Sequence, residues 1–348
     1  MNRRGRRRTA LIVRVLITAL SFTAYSLYDM NKNLLPQPTD VLDELSMGKE
    51  QKLLVNCDTF HSKYSASNFA HVPSSITGGS DFNMSVHDPE KEVISMEIKK
   101  HGCFECNILR PLILALKNSK NASLIDIGGN IGMYSLHAAS HGRNAIAFEP
   151  LQINQEKLCQ STLLSPGFGE KIKIVPRALT NENNLTYVDF NTEWFDKAVF
   201  KRNRGQKNYG TMMTGAGLDK KPDGVLGQNY ALATTVDSMK NLHILPPPGS
   251  HIVLKVDVEG SECRALAGAS EYLHTVNIDY VALEMAPDRI EQCRSSGVWD
   301  NVYNLFLANG LGPYKFEAKG WVKINNWQDL KVIGMTDIAF SAGLPSNL

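Results

Sequence analysis

The stretch Leu124–Pro150, LIDIGGNIGMYSLHAASHGRNAIAFEP, decides the fold. Its first residues are an apolar run of strand length. A glycine-rich turn, an amphipathic helical segment and a second apolar run follow, and Glu149 closes the unit. Strand, helix, strand with a short connection at each end is the pattern of a parallel βαβ unit. The same rhythm continues outward, with a helix over Ile153–Leu164, strands at Lys171–Val175, His251–Val256 and Val276–Glu284, and a helix over Asp288–Asn309 closed by Gly310. Upstream, Cys106–Asn118 reads as a helix in which Pro111 predicts a late start or a kink, and the alternating EVISMEI segment, Glu92–Ile98, predicts a strand. Lys315–Phe316, Trp321–Ile324 and Asp337–Phe340 can supply final antiparallel strands. The expected class is therefore α/β, doubly wound, with a mainly parallel sheet.

The turn carries chemistry as well as topology. In Asp126-Ile127-Gly128-Gly129-Asn130-Ile131-Gly132 the glycines allow a sharp turn and a close approach of backbone to ligand. The arrangement is G-x-N-x-G, whereas a dinucleotide fingerprint reads G-x-G-x-x-G. A nicotinamide-dependent oxidoreductase is disfavoured on that ground. S-adenosylmethionine is the expected cofactor, with Asp126 and the glycine backbone meeting its amino-acid end. Glu149, about twenty residues on at the end of the next strand, stands where an acid can accept ribose hydroxyls.

A second block, Lys255-Val256-Asp257-Val258-Glu259-Gly260, alternates charge and valine. Period-two alternation would place Lys255, Asp257 and Glu259 on one strand face. Charges on a core strand are costly unless paired or used. Asp257 and Glu259 are thus expected to reach the crevice at the carboxyl end of a parallel sheet, with a structural Lys255–Asp257 pair as the bland alternative. Ser261 is expected to cap the next helix, and Glu262 is read as structural. His251 and Lys255 are weaker candidates for chemistry, while His137 and His141 read as structural.

Together these residues resemble the FkbM family of S-adenosylmethionine-dependent methyltransferases. The resemblance rests on DIGGNIG, the acid of AFEP, ATTVDSM with Asp237, LKVDVEGSECRALAGA and the strand VALE, in that order, over roughly Asn107 to Glu284. It implies a class I methyltransferase fold, with a mainly parallel seven-stranded sheet of the Rossmann-like type, and O-methylation, in several family members of sugar hydroxyls. Cofactor contacts would fall on Asp126, Gly128, Asn130, Gly132 and Glu149, and the reaction centre on Asp257 and Glu259. Gly129 stands where alanine is frequent in the family. Glu259 is the expected base or hydroxyl-orienting group, supported by Asp257. No metal is expected.

The amino terminus sets a compartment. Six arginines lie within Arg3–Arg14 and no acid precedes Asp29; of the formal charge of +2, the remainder of the chain carries 2 − 6 = −4. That balance argues against a general nucleic-acid surface. The basic flank and following apolar run predict residues 1–9 as a cytosolic tail and 10–28 as a type II signal anchor, with a cleaved signal peptide as the alternative. Residues 29–80 read as a lumenal stem with few core contacts and 81–348 as the methyltransferase domain, in the Golgi or endoplasmic reticulum. Sequons at Asn83, Asn121 and Asn184 fit a lumenal setting. The chain has six cysteines; Cys103 and Cys106 read as a disulfide or buried thiols rather than half a metal site. Residues 177–230 form a basic, glycine-rich insert readable as a substrate loop or as plain surface. The expected partners are the membrane and a glycan or other hydroxyl-bearing acceptor; the alternative function is an inactive lumenal binding protein with the same fold.

Overall fold

A computed structural model describes residues 53–60, 68–182, 187–190, 214–218, 221, 223–285, 297–317, 320–325 and 336–344. In chain order, β1 (Phe69–Val72) and β2 (Phe82–Ser85) precede helices α1 (Val93–His101) and α2 (Cys106–Asn118). Next come β3 (Ser123–Ile127), α3 (Met133–Ser140), β4 (Ala145–Phe148), α4 (Gln152–Leu164) and β5 (Ile172–Val175). The insert contributes β6 (Ala178–Leu179), β7 (Tyr187–Phe190), β8 (Thr214–Leu218) and β9 (Tyr230–Thr234), followed by α5 (Val236–Met239). The rest is β10 (His251–Val256), α6 (Glu262–Ala267), α7 (Ser270–Leu273), β11 (Asn277–Met285), α8 (Val298–Ala308), β12 (Gly312–Glu317), β13 (Gly320–Lys323) and β14 (Thr336–Ser341).

The main sheet has eight strands, one more than the sequence reading, in the order β5-β4-β3-β10-β11-β14-β12-β13. From β5 to β11 every pairing is parallel. β14 then enters antiparallel between β11 and β12, and β13 folds back on β12. Helices cover both faces of this Rossmann-like α/β sheet. On one face Leu124, Val253, Tyr280 and Ala282 pack with α2 and α3. On the other, Ile125, Leu254, Val281 and Leu283 pack with residues of α6, α7 and α8, including the fully buried Trp299. Alternate strand residues feed opposite cores, which is why these strands read as continuous apolar runs.

Several expectations are corrected. EVISMEI is not a strand: Glu92 accepts from the amides of Ile94 and Ser95, and Gly102 closes α1 in the left-handed conformation. The two caps favour the helix, whose buried residues Ile94, Ser95 and Ile98 lie on one face. Residues 53–60 and 68–80 are not a stem with few core contacts. Val55 N–H donates to the Ile174 carbonyl, Cys57 is disulfide-bonded to Cys159, and Ala70 and Val72 are buried. The β1–β2 hairpin covers the polar side of α4, with Ser85 N–H donating to Ser161 Oγ at 2.9 Å and His87 Nε2 lying 2.9 Å from Asn154 Oδ1. α2 does not start late: it runs from Cys106 with Pro111 inside it. The carbonyl of Asn107, which would have accepted the missing Pro111 N–H, accepts the Trp321 indole N–H at 3.2 Å. Satisfying that carbonyl removes much of the cost of a proline in a helix.

The insert forms a second sheet in the order β6-β9-β7-β8; its basic passage at 191–213 lies outside the described residues, as do Asn184 and the tail and anchor at 1–28. Among the described residues no helix is long and apolar enough to cross a membrane.

Candidate active site

The carboxyl ends of β3, β4 and β10 build the site. Gly128 and Gly129 N–H groups both donate to the Phe148 carbonyl, tying the turn after β3 to the end of β4. Asn130 turns the chain at φ +47° and Gly132 at +93° before α3 begins. Glu149 is buried at the end of β4. Its Oε2 accepts the Asn130 N–H at 2.7 Å, and its Oε1 accepts the Leu151 N–H at 2.8 Å and the Asn154 side-chain amide at 3.4 Å, so the further lone pair is on Oε2. Burial pushes its pKa up to about 7, against the lowering effect of those amides. All five cofactor-side residues expected from sequence, Asp126, Gly128, Asn130, Gly132 and Glu149, therefore belong to one turn and its neighbouring strand end.

The second motif meets the first through Lys255. Its ammonium is buried, donates to the Gly128 carbonyl at 3.0 Å, lies 3.2 Å from Asp257 Oδ2 and 3.9 Å from Asp126 Oδ1, and rests 4.9 Å above the Tyr134 ring. Burial alone would lower its pKa, but Asp257, Asp126 and Glu105 hold it above the ordinary lysine range. Asp126 accepts the Ser135 hydroxyl at 2.7 Å, and burial raises its pKa despite Lys255.

The strand ends at Val256, so alternation does not carry Glu259 to the site. After Asp257 the chain turns, and Glu259 at φ +50° and Gly260 at +110° bring the carboxylate round. Glu262 makes this turn possible, accepting the Gly260 N–H at 2.9 Å and the Val258 N–H at 3.3 Å. Ser261 precedes α6 without the expected side-chain cap. Carboxylate oxygens of Asp257, Glu259 and Glu284 lie within 4.8 Å of one another. Burial first, then Asp257, Glu259 and Glu105, raise the Glu284 pKa. Asp337 pairs across from Glu284; burial and then Asp257 raise its pKa to about 6.

Sequence reasoning missed Glu105, Tyr134, Glu284 and Asp337 as members of this cluster. Glu284 lies in the VALE strand, Tyr134 in the helix after the glycine turn and Asp337 at the start of an expected strand, but nothing local marks their convergence; Glu105 is marked only by the flanking cysteines. His251 is corrected: it begins β10, pairs with Asp279 at 2.9 Å and is half exposed, away from the carboxyl end. His137 and His141 both bond Thr77 and are structural, as expected. Asp237 accepts the amides of Glu271 and Tyr272 and so anchors the start of α7.

No protein-family model matches the chain. No curated protein matches it either. Among solved structures, similarity is found to a methyltransferase FkbM from Methylobacillus flagellatus KT, at 14% identity over 63% of this chain and 43% of that one, with a TM-score of 0.33. The METTL16 methyltransferase domain aligns at 10% identity over 72% of this chain and 78% of that one, TM-score 0.35. Magnesium protoporphyrin IX methyltransferase from Synechocystis PCC 6803, with bound SAH, aligns at 9% over 72% and 87%, TM-score 0.30. The chain thus spans less than half the length of the first. Likeness at this level extends no further than the α/β architecture, which the strand order establishes on its own.

Proposed function

We propose that the chain is an S-adenosylmethionine-dependent O-methyltransferase of the FkbM type that acts on a hydroxyl of a glycan in the secretory pathway. The observation that carries this reading is the junction of the two motifs, with Lys255 binding the Gly128 carbonyl and Asp257 at once. It sets a cofactor-type turn directly beside a group of carboxylates.

The residues present fit the cofactor. The turn offers bare backbone at Gly128, where a side chain has no room. Asp126 Oδ1 is a buried acceptor with no hydrogen-bond partner, the Lys255 ammonium lying 3.9 Å away. Glu149 is an acid at the end of β4, where two ribose hydroxyls can be accepted. When bound, S-adenosylmethionine supplies a methyl group on a cationic sulfonium, an electrophile that needs no further activation. The protein's part is alignment and proton removal. Glu259 takes the proton of the acceptor hydroxyl, and Asp257, fixed by Lys255, orients that hydroxyl.

The lumenal setting is supported by the basic amino terminus and by the cysteines. Every described cysteine is disulfide-bonded, as expected for a protein folded under oxidising conditions. Asn83 and Asn121 are exposed and open to glycosylation.

The test is incubation of the full chain in detergent with labelled S-adenosylmethionine and a glycan panel. Transfer to a hydroxyl of at least one glycan is expected. Absence of transfer together with absence of calorimetric cofactor binding overturns the proposal; binding without transfer favours the inactive binding protein.

A further inference from the structure

Glu105 lies outside every motif described above, yet its carboxyl group faces the reaction cluster. It occupies the N-cap of α2, a position where an acidic side chain ordinarily accepts amides of the first turn. It makes no such bond. Its Oε2 instead accepts the Tyr134 hydroxyl at 3.3 Å, and the Tyr134 ring is the one beneath the Lys255 ammonium. The backbone of Glu105 is left-handed, φ 50° and ψ 48°, a conformation unfavourable for a residue with a side chain. The Cys103–Cys106 disulfide spans it, closing a small covalent ring that restricts how far Glu105 can relax.

We propose that Glu105 is a positioning residue of the methyl-transfer site, held in place by the Cys103–Cys106 disulfide and acting through Tyr134 to keep Lys255 seated between Gly128 and Asp257. The inference rests on the methyl-transfer reading above. The disulfide holds Glu105, Glu105 holds the Tyr134 ring, and the ring supports the ammonium that joins the two motifs. The groups facing Glu105 are Asp257, Asp337, Lys255 and Tyr134, with Glu284 also in reach. Burial, then Asp257 and Asp337, push the Glu105 pKa up to about 8, opposed by Lys255 and Tyr134. The ionised carboxylate is the stronger acceptor of the tyrosine hydroxyl, so the chain of contacts tightens as pH rises through that value.

The test is calorimetric binding of S-adenosylmethionine and of its neutral product S-adenosylhomocysteine to the full chain, between about pH 6.5 and about pH 9.5. For both ligands the wild-type affinity should rise about tenfold through a step near pH 8, the scale of one charge-assisted hydrogen bond. Glu105→Gln, which keeps an acceptor for Tyr134 but cannot ionise, should flatten the step while retaining the wild-type melting temperature. Tyr134→Phe should flatten it too. The Cys103→Ser/Cys106→Ser pair should weaken binding in the wild type and have no further effect in Glu105→Gln.

A wild-type step that persists in Glu105→Gln overturns the proposal. So does a step seen with S-adenosylmethionine alone, which would mean direct contact with the sulfonium, or a cysteine effect undiminished in Glu105→Gln. If the wild type binds neither ligand, the methyl-transfer reading falls with it; if it binds both and only the step is wrong, that reading stands and the role of Glu105 alone is lost.

Discussion

The α-carbon of Gly128 faces the carbonyl oxygen of Asp257 so closely that a β-carbon on Gly128 would stand 1.7 Å from it, and Gly128 has a φ of +85°. The cofactor turn and the acidic turn therefore touch through backbone as well as through Lys255. Gly128→Ala should push the two apart and weaken S-adenosylmethionine binding by more than about tenfold, with a stability loss of about 1–3 kcal/mol from strain. Gly142→Ala is the control, since its φ is +72° but nothing lies within 4 Å of the added carbon. Calorimetry and denaturant melts on both variants separate the clash from the backbone preference.

Lys255→Met removes the ammonium from Asp126, which is fully buried, and from Asp257. Deleting one partner of a buried ion pair leaves uncompensated charge, and a loss of about 3–5 kcal/mol in urea unfolding at neutral pH is expected. The deficit should shrink as pH falls, because the carboxylates left without a cation take up protons. A deficit that grows toward acid would refute this account.

Glu149 carries a pKa raised by burial from 4.5 to about 7 in the folded chain. A raised folded-state pKa gives stability that is complete below the unfolded value and lost as pH rises through the folded one. Glu149→Gln should therefore lack this loss between about pH 4.5 and about pH 7, gaining on the wild type by up to about 3 kcal/mol at alkaline pH. Paired thermal melts across that range read the difference. The same variant should bind S-adenosylmethionine at least about tenfold more weakly if the carboxylate accepts ribose hydroxyls.

The Cys57–Cys159 disulfide joins residues 102 apart in sequence. A loop of that length constrains the unfolded chain strongly, and the Cys57→Ser/Cys159→Ser variant should lose about 4–5 kcal/mol. Because the disulfide ties Cys57 to α4, proteolysis near residue 60 should accelerate in this variant. Unchanged cleavage would mean that other contacts, such as the bond from the Val55 N–H to the Ile174 carbonyl, hold this segment unaided.

Trp321→Phe should cost about 1 kcal/mol by orphaning the Asn107 carbonyl. In a Pro111→Ala background the alanine N–H can reach that carbonyl along the helix, so the cost should fall toward zero. A double-mutant cycle by chemical denaturation measures the coupling directly.

The central βαβ units were legible because their signal is local. Continuous apolar runs of strand length, glycines at the turns and an acid at a strand end depend on neighbours a few residues away, and β3, β4 and β10 fall where the sequence places them. The hairpin over α4 was not legible. Asn154, Gln160 and Ser161 are polar yet buried, and their partners come from the distant residues Ser85 and His87. EVISMEI was misread because alternation over a few residues cannot outweigh the caps at Glu92 and Gly102.

The sequence by itself marked LIDIGGNIG as a strand running into a glycine turn and KVDVEG as a strand running into acids, since both follow from residue type and local spacing. Tertiary structure alone decided that Lys255 would join them, that Glu259 would arrive through a left-handed turn held by Glu262, and that Glu105, Glu284 and Asp337 would close the cluster. Those residues come from separate elements, and only the sheet order, with β14 inserted between β11 and β12, sets Asp337 against Glu284. The raised pKa values of Glu105, Glu284 and Asp337 are a property of that convergence: burial raises each and acidic neighbours raise it further, an effect no single stretch of sequence contains.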